Sequence, residues 1–144
     1  MAIGVQVTFD CADPAALGAF WASALGYEVQ PPPPGFDSWP AFLSAQGIPE
    51  SEWTAFNALV DPDGKGPRLF LQRVPEGKTA KNRVHLDVNV GGGHDTPAEE
   101  RRRLVDAAVD RLVGDGATHV RTIEQHGERW AVMQDPEGNE FCLQ

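Results

Sequence analysis

The run Asp135-Pro136-Glu137-Gly138-Asn139-Glu140-Phe141-Cys142-Leu143-Gln144 repeats an earlier one, Asp61-Pro62-Asp63-Gly64 followed by Arg68-Leu69-Phe70-Leu71-Gln72. In both, a Pro and a Gly inside an acidic tetrapeptide force a tight turn, and an apolar strand follows. This repeat constrains the fold more than any other feature of the chain. One structural module is expected to occur twice.

The residues leading up to each turn support that expectation. Residues 3–10 alternate, with Val5, Val7 and Phe9 against Gln6, Thr8 and Asp10, as a half-buried strand does. Asp13-Pro14 then starts a helix, since Asp is a good N-cap and Pro at the first helical position loses no needed hydrogen bond. Leu17, Phe20, Trp21, Ala24 and Leu25 form its apolar face, and Gly26 stops it. Residues 27–30 read as a short strand, and 53–60 with 67–74 as a hairpin around the 61–66 turn. Between them, Pro31 to Pro34 cannot continue a sheet. The 31–52 stretch is loop-like, with Trp39, Phe42 and Ile48 scattered through it. Such a connection is either a lid or a surface excursion packing its own aromatics.

After a polar linker over 75–82, residues 83–90 alternate again, Val84, Leu86 and Val88 against His85, Asp87 and Asn89. Gly91-Gly92-Gly93 leads to Thr96-Pro97-Ala98-Glu99, which reads as a capping box with Pro97 at the first helical position. Leu104, Val105, Ala108, Val109, Leu112 and Val113 are the buried stripe, while Arg101 to Arg103 read as a solvated face. Gly114 and Gly116 end the helix. Strands over 117–124, 129–134 and 139–143 follow. The order is strand, helix, three strands, and then the same again.

Hydrophobic residues are 41% and charged residues 23% of the 144, which is globular rather than disordered composition. The length fits a single domain, with one module at about 1–75 and the other at about 83–144. A net charge of -9 leaves no basic patch to neutralise phosphates, so no nucleic-acid partner is expected, nor an anionic membrane surface. There is no transmembrane-length apolar run and no basic, apolar, small-residue signal pattern, so a cytoplasmic protein is expected. Cys11 and Cys142 make no disulfide framework and no zinc spacing; both read as reduced, partly buried thiols.

Asp10-Cys11-Ala12-Asp13-Pro14, Phe20-Trp21 and the 135–143 run resemble the glyoxalase-like domain group of the vicinal oxygen chelate superfamily. That superfamily includes glyoxalase I, bleomycin-resistance proteins and extradiol dioxygenases. The resemblance implies an α+β fold: two βαβββ modules in tandem whose mixed sheets curl into a cup, with helices outside and a small-molecule cavity inside. It also implies a homodimer.

In the metal-dependent members, four side chains from the first and last strand of each module hold a divalent ion. Carried over by motif, these positions fall on Gln6, Phe70, His85 and Cys142. Phe70 is no ligand, and Cys142 stands where the family has a carboxylate. A shift of two residues brings in only Gln72 and Gln144, whose neutral amides are weak ligands. No metal cofactor is therefore expected, a divalent ion being the alternative.

The expected ligand pocket is lined by Gln6, Thr8, Phe70, Gln72, His85, Asp87, Glu140 and Cys142. His85 with Asp87 two residues on is the best pair for acid-base work, because imidazole titrates near neutral pH. Trp39, Trp53 and Trp130 are candidate flat surfaces for a planar guest. Two functions follow. One is a non-catalytic small-molecule binder of the resistance type, whose guest the acidic net charge would make cationic. The other is a lyase, isomerase or dioxygenase with an altered metal-ligand set.

Overall fold

The computed structural model describes residues 1–144, and they form two compact units, Met1–Gly77 and Lys78–Gln144. In the first unit α1 (Pro14–Leu25) starts as its caps require. Asp13 is extended, and its Oδ1 accepts the N–H of Ala16 at 3.0 Å. Gly26 closes the helix at φ 69°, a left-handed conformation that costs glycine little. The strands are β1 (Val7–Cys11), β2 (Glu28–Val29), β3 (Phe56–Val60) and β4 (Leu69–Arg73), in the order β1-β4-β3-β2. β1 runs parallel to β4, and the other pairs are antiparallel.

α1 lies on β3 and β4. Leu17 and Trp21 from the helix, and Leu59, Leu69 and Leu71 from the sheet, are at most 2% exposed. Each such side chain contributes about 1.5–3 kcal/mol through removal from water. Phe9 stacks on Trp21 at 5.1 Å and fixes β1 against the helix.

The second unit repeats this plan with β5 (Leu86–Val88), α3 (Ala98–Gly114), β6 (Thr118–Gln125), β7 (Glu128–Gln134) and β8 (Glu140–Leu143). Its strand order is β5-β8-β7-β6, with β5 parallel to β8. Val105, Ala108, Val109 and Leu112 of α3 are buried, as are Ala131, Met133, Phe141 and Leu143 of the sheet. The two Asp-Pro-acid-Gly turns have the same internal wiring. The Asp61 carboxylate accepts the N–H groups of Asp63, Lys65 and Gly66. Asp135 Oδ1 accepts those of Glu137 and Asn139.

Several expectations need correction. The first strand of each unit is shorter than its alternation suggests, and Val5 and Val84 are 73% and 79% exposed. The partners run out: β4 begins at Leu69 and β8 at Glu140, so residues ahead of β1 and β5 have no ladder to join. The capping box at Thr96 does not form. Pro97 has φ -56° and ψ 144°, the helix starts one residue later, and no side chain caps it. Val113 is 45% exposed at the edge of the stripe.

The 31–52 stretch holds a helix, α2 (Trp39–Ala45), with Ser38 Oγ accepting the N–H of Ala41, and a 3-10 turn at Glu50–Glu52. Its aromatics pack on one another, Phe42 meeting both Phe36 and Trp39 edge-on. The Trp39 and Trp53 indoles donate to the carbonyls of Gln30 and Ile48.

Candidate functional site

Register fixes which side chains of the second sheet share a face. Asp87 sits opposite Cys142, Cys142 opposite Val132, and Val132 opposite Arg121, so these four form one row across β5, β8, β7 and β6. His85 and Glu140 precede Asp87 and Cys142 by two residues on β5 and β8, and Asn89 and Gln144 follow by two. All of these residues take the same face, because side chains alternate along a strand. The opposite face carries Ala131, Met133, Phe141 and Leu143 against α3. The polar face opens on a cavity of about 820 Å³, and every residue lining it belongs to the second unit.

His85, Asp87 and Cys142 form the centre of its floor. His85 Nε2 lies 3.2 Å from Asp87 Oδ1, and both side chains are half exposed. Each of the three residues offers one ligand atom, and these atoms lie within 4.8 Å of one another. Burial pushes the Cys142 thiol above its ordinary pKa, and the Asp87 carboxylate, which accepts its hydrogen bond, pushes it further. The thiol is thus protonated at neutral pH, a weak nucleophile unless a cation draws off its proton. Glu140 is held ionised, below the usual carboxylate range, chiefly by its hydrogen bond from Lys81. The pair forms one wall of the cavity.

The remaining walls come from β6, β7 and α3. Trp130 and Ile123, opposite one another, supply the apolar part. Arg101 of α3 reaches the cavity and lies 3.6 Å from Glu128. It was expected to face water with Arg102 and Arg103; those two bind Glu124 and Glu100 at the surface. Arg101 was missed because a helical wheel marks which residues avoid the core, not which of them overhang a sheet edge.

Of the eight residues expected to line a pocket, His85, Asp87, Glu140 and Cys142 are brought together here. Gln6, Thr8, Phe70 and Gln72 belong to the first unit. Gln6 Oε1 accepts from Arg68 Nη1 at 2.7 Å, and Gln72 Nε2 donates to Asp10 Oδ1 at 2.7 Å. Phe70 stacks on Phe56 at 5.6 Å, with the Arg68 guanidinium 5.3 Å above its ring. Trp39 and Trp53 are engaged with their own segment, and Trp130 is the tryptophan that lines the cavity.

The family's four metal positions therefore do not fit an ion as a set. Phe70 has no donor, and the Gln6 oxygen already holds Arg68. The trio within one unit does fit in donor chemistry. Imidazole, carboxylate and thiolate suit a borderline divalent ion such as zinc, with a position left for water or a ligand. Asp87, assigned from sequence as the proton partner of His85, is the added donor.

Solved structures share this fold at low identity. A glyoxalase/bleomycin resistance protein/dioxygenase family enzyme from Burkholderia phytofirmans PsJN has TM-score 0.63 and 17% identity, covering 96% of this chain and 94% of its own. FosX, a fosfomycin resistance protein from Listeria monocytogenes, was solved as a mutant with Mn(II) and 1S,2S-dihydroxypropylphosphonic acid. It has TM-score 0.62 and 14% identity, covering 99% of this chain and 90% of its own. The bleomycin-binding protein of Streptomyces verticillus, in complex with copper(II)-bleomycin, has TM-score 0.52 and 16% identity over 99% and 95%. No curated protein matches the sequence. The family model of the glyoxalase-like domain matches residues 6–144, in keeping with the two βαβββ units and the shared fold, and the chain belongs to that family.

Proposed function

We propose that this protein is a small-molecule binder of the resistance type, and that its ligand sits on the polar face of the second sheet. The observation carrying this reading is the cavity of about 820 Å³ whose floor is His85, Asp87 and Cys142. Its size is that of small-molecule sites in general, and it mixes an apolar wall with a few convergent polar groups. The paired imidazole and carboxylate hold a donor and an acceptor in place for a guest. The protonated thiol favours binding over nucleophilic attack. Structural neighbours that hold bleomycin and a phosphonic acid support a ligand-holding use of the fold.

A thermal-shift screen of metabolites and antibiotics, with and without added divalent metals, tests this reading. A ligand that binds the folded state raises its melting temperature by mass action. The expected hit is metal-independent and is lost in His85→Ala. Persistent turnover of a hit would replace the binder by an enzyme.

The second reading, a metal-dependent lyase, isomerase or dioxygenase with an altered ligand set, is favoured by the three donors within 4.8 Å of one another. His85, Asp87 and Cys142 would hold the ion, which would supply Lewis-acid polarisation of a bound oxygen. The apolar wall of Ile123 and Trp130 would limit access of water. Stoichiometric metal in protein purified without chelators, lost in both His85→Ala and Cys142→Ser, would establish this reading over the first. A cytoplasmic homodimer is part of this proposal; light scattering on the purified chain tests the dimer, and fractionation of expressing cells tests the location.

A further inference from the structure

The pairing of β6 with β7 shifts register between His119 and Arg121. Thr118 faces Gln134 and His119 faces Met133, but it is Arg121, not Val120, that faces Val132. Val120 is the extra residue of a β-bulge and is 46% exposed. Unbroken alternation would put Val120 on the face of Thr118 and send Arg121 to the other side. One inserted residue inverts that order and turns Arg121 onto the cavity face. The inversion has an independent witness: His119 Nε2 and Thr122 Oγ1 lie 3.0 Å apart, so both share the opposite face.

Arg121 differs from every other charged side chain in the lining. Lys81 is matched by Glu140 and Arg101 by Glu128, and Asp87 is in contact with the His85 ring. Arg129 is held by Asp106 and Glu124. Arg121 lines the cavity without a carboxylate partner. The chain carries a formal charge of -9, yet this cavity presents a cation with no carboxylate beside it.

We propose that Arg121 is the specificity-determining residue of the cavity and that it takes an anionic group, a carboxylate or phosphonate, of a planar or aromatic ligand. This rests on the binding reading above and replaces the cationic guest that net charge alone suggests. A guanidinium offers a fixed fork of donors that matches such groups bidentately. Ile123, two residues on along the same face, and Trp130 opposite it provide the apolar surface for the rest of the ligand. Strands lie about 4.8 Å apart, so the Arg121 backbone is on the order of 10 Å from that of Cys142, two strands away. One small acid can therefore reach from the guanidinium to the His85–Asp87 end.

Benzoate and phenylphosphonate are the probes, with benzamide as the neutral match, in amide and indole NMR titrations at low salt. Both anions are expected to shift Ile123, the Trp130 indole and Cys142. In Arg121→Gln their affinity should fall by about tenfold while that of benzamide stays, and Arg121→Lys should fall between. Arg121 is exposed, so the substitution should leave the fold intact. Anion affinities unchanged in Arg121→Gln, or shifts confined to other surfaces, overturn the proposal. If benzamide shifts the cavity residues as well as the anions do, the binding site stands and the anion preference falls. If no probe moves a cavity residue, both fall.

Discussion

The two Asp-Pro-acid-Gly turns offer a matched pair of substitutions that differ in burial. Asp135 is 3% exposed, and its Oδ1 accepts the N–H groups of Glu137 at 2.9 Å and Asn139 at 3.0 Å. The Asn139 side-chain amide adds contacts to both carboxylate oxygens. Asp135→Ala strips a charged acceptor from two part-buried backbone donors. Hydrogen bonds to charged groups contribute about 1.5–3 kcal/mol each, and water entering the vacated space recovers part. The expected cost is about 2–4 kcal/mol, a large share of a typical total of about 5–15. With a urea slope of about 1–3 kcal/mol/M, the midpoint should fall by about 1–2 M.

Asp61→Ala removes three such bonds, but two of them are exposed and only that of Gly66 is part-buried, so water replaces them more readily and its loss should be clearly smaller. The N–H donors of Asp63 and Gly66 lower the pKa of Asp61. Its contribution is therefore present above the unfolded carboxylate pKa and lost as pH falls through the lower folded value. The difference between wild type and Asp61→Ala should close on acidification. Urea titrations of the three proteins by circular dichroism check the ranking. An Asp61→Ala cost equal to or above that of Asp135→Ala would refute burial as its cause.

Gly18→Ala should destabilise the first unit by about 1–3 kcal/mol although alanine favours helix, because the added Cβ collides with the Asn57 amide that donates to the Pro14 carbonyl. Urea midpoints check this, and a stabilised variant would show that Asn57 yields freely. Alkylation of the native protein should label Cys142 and spare Cys11, which is 3% exposed. The Cys142 rate should be slow at neutral pH and climb with pH, since burial and Asp87 hold the thiol protonated. Asp87→Asn should speed it, as removing the negative charge lowers the thiol pKa; mass spectrometry of timed quenches reads both rates.

Where sequence reasoning succeeded, a local rule was enough. The Asp13 cap, the Gly26 stop and both acidic turns each depend on residues within a few positions, and each formed as their chemistry dictates. It failed where a longer pattern had to choose between equivalents. Thr96 and Ser38 are both plausible caps, yet only Ser38 caps a helix, because the extended backbone of Pro97 carries Thr96 out of reach of the first turn. Val5 and Val84 continue a perfect alternation past the last residue that has a partner strand. Alternation reports which face a residue would take, not whether a ladder exists to hold it.

The candidate site shows the same limit more sharply. His85, Asp87, Glu140 and Cys142 were legible because β5 and β8 alternate without interruption, and counting from the Asp135 turn fixes their face. Arg121 was not. Counting along 117–124 groups it with His119, whereas the bulge at Val120 places it with Thr118 and Ile123. Nothing in the composition marks that insertion; no glycine or proline stands there, and valine is an ordinary strand residue. From the two-residue turn at His126 and Gly127, both at positive φ, the pairing of β6 with β7 runs regularly back to Arg121 and breaks there. A sheet face read from one strand is therefore secure only as far as its pairing is unbroken. Beyond a bulge, the sign of the charge presented to a ligand is set by the partner strand.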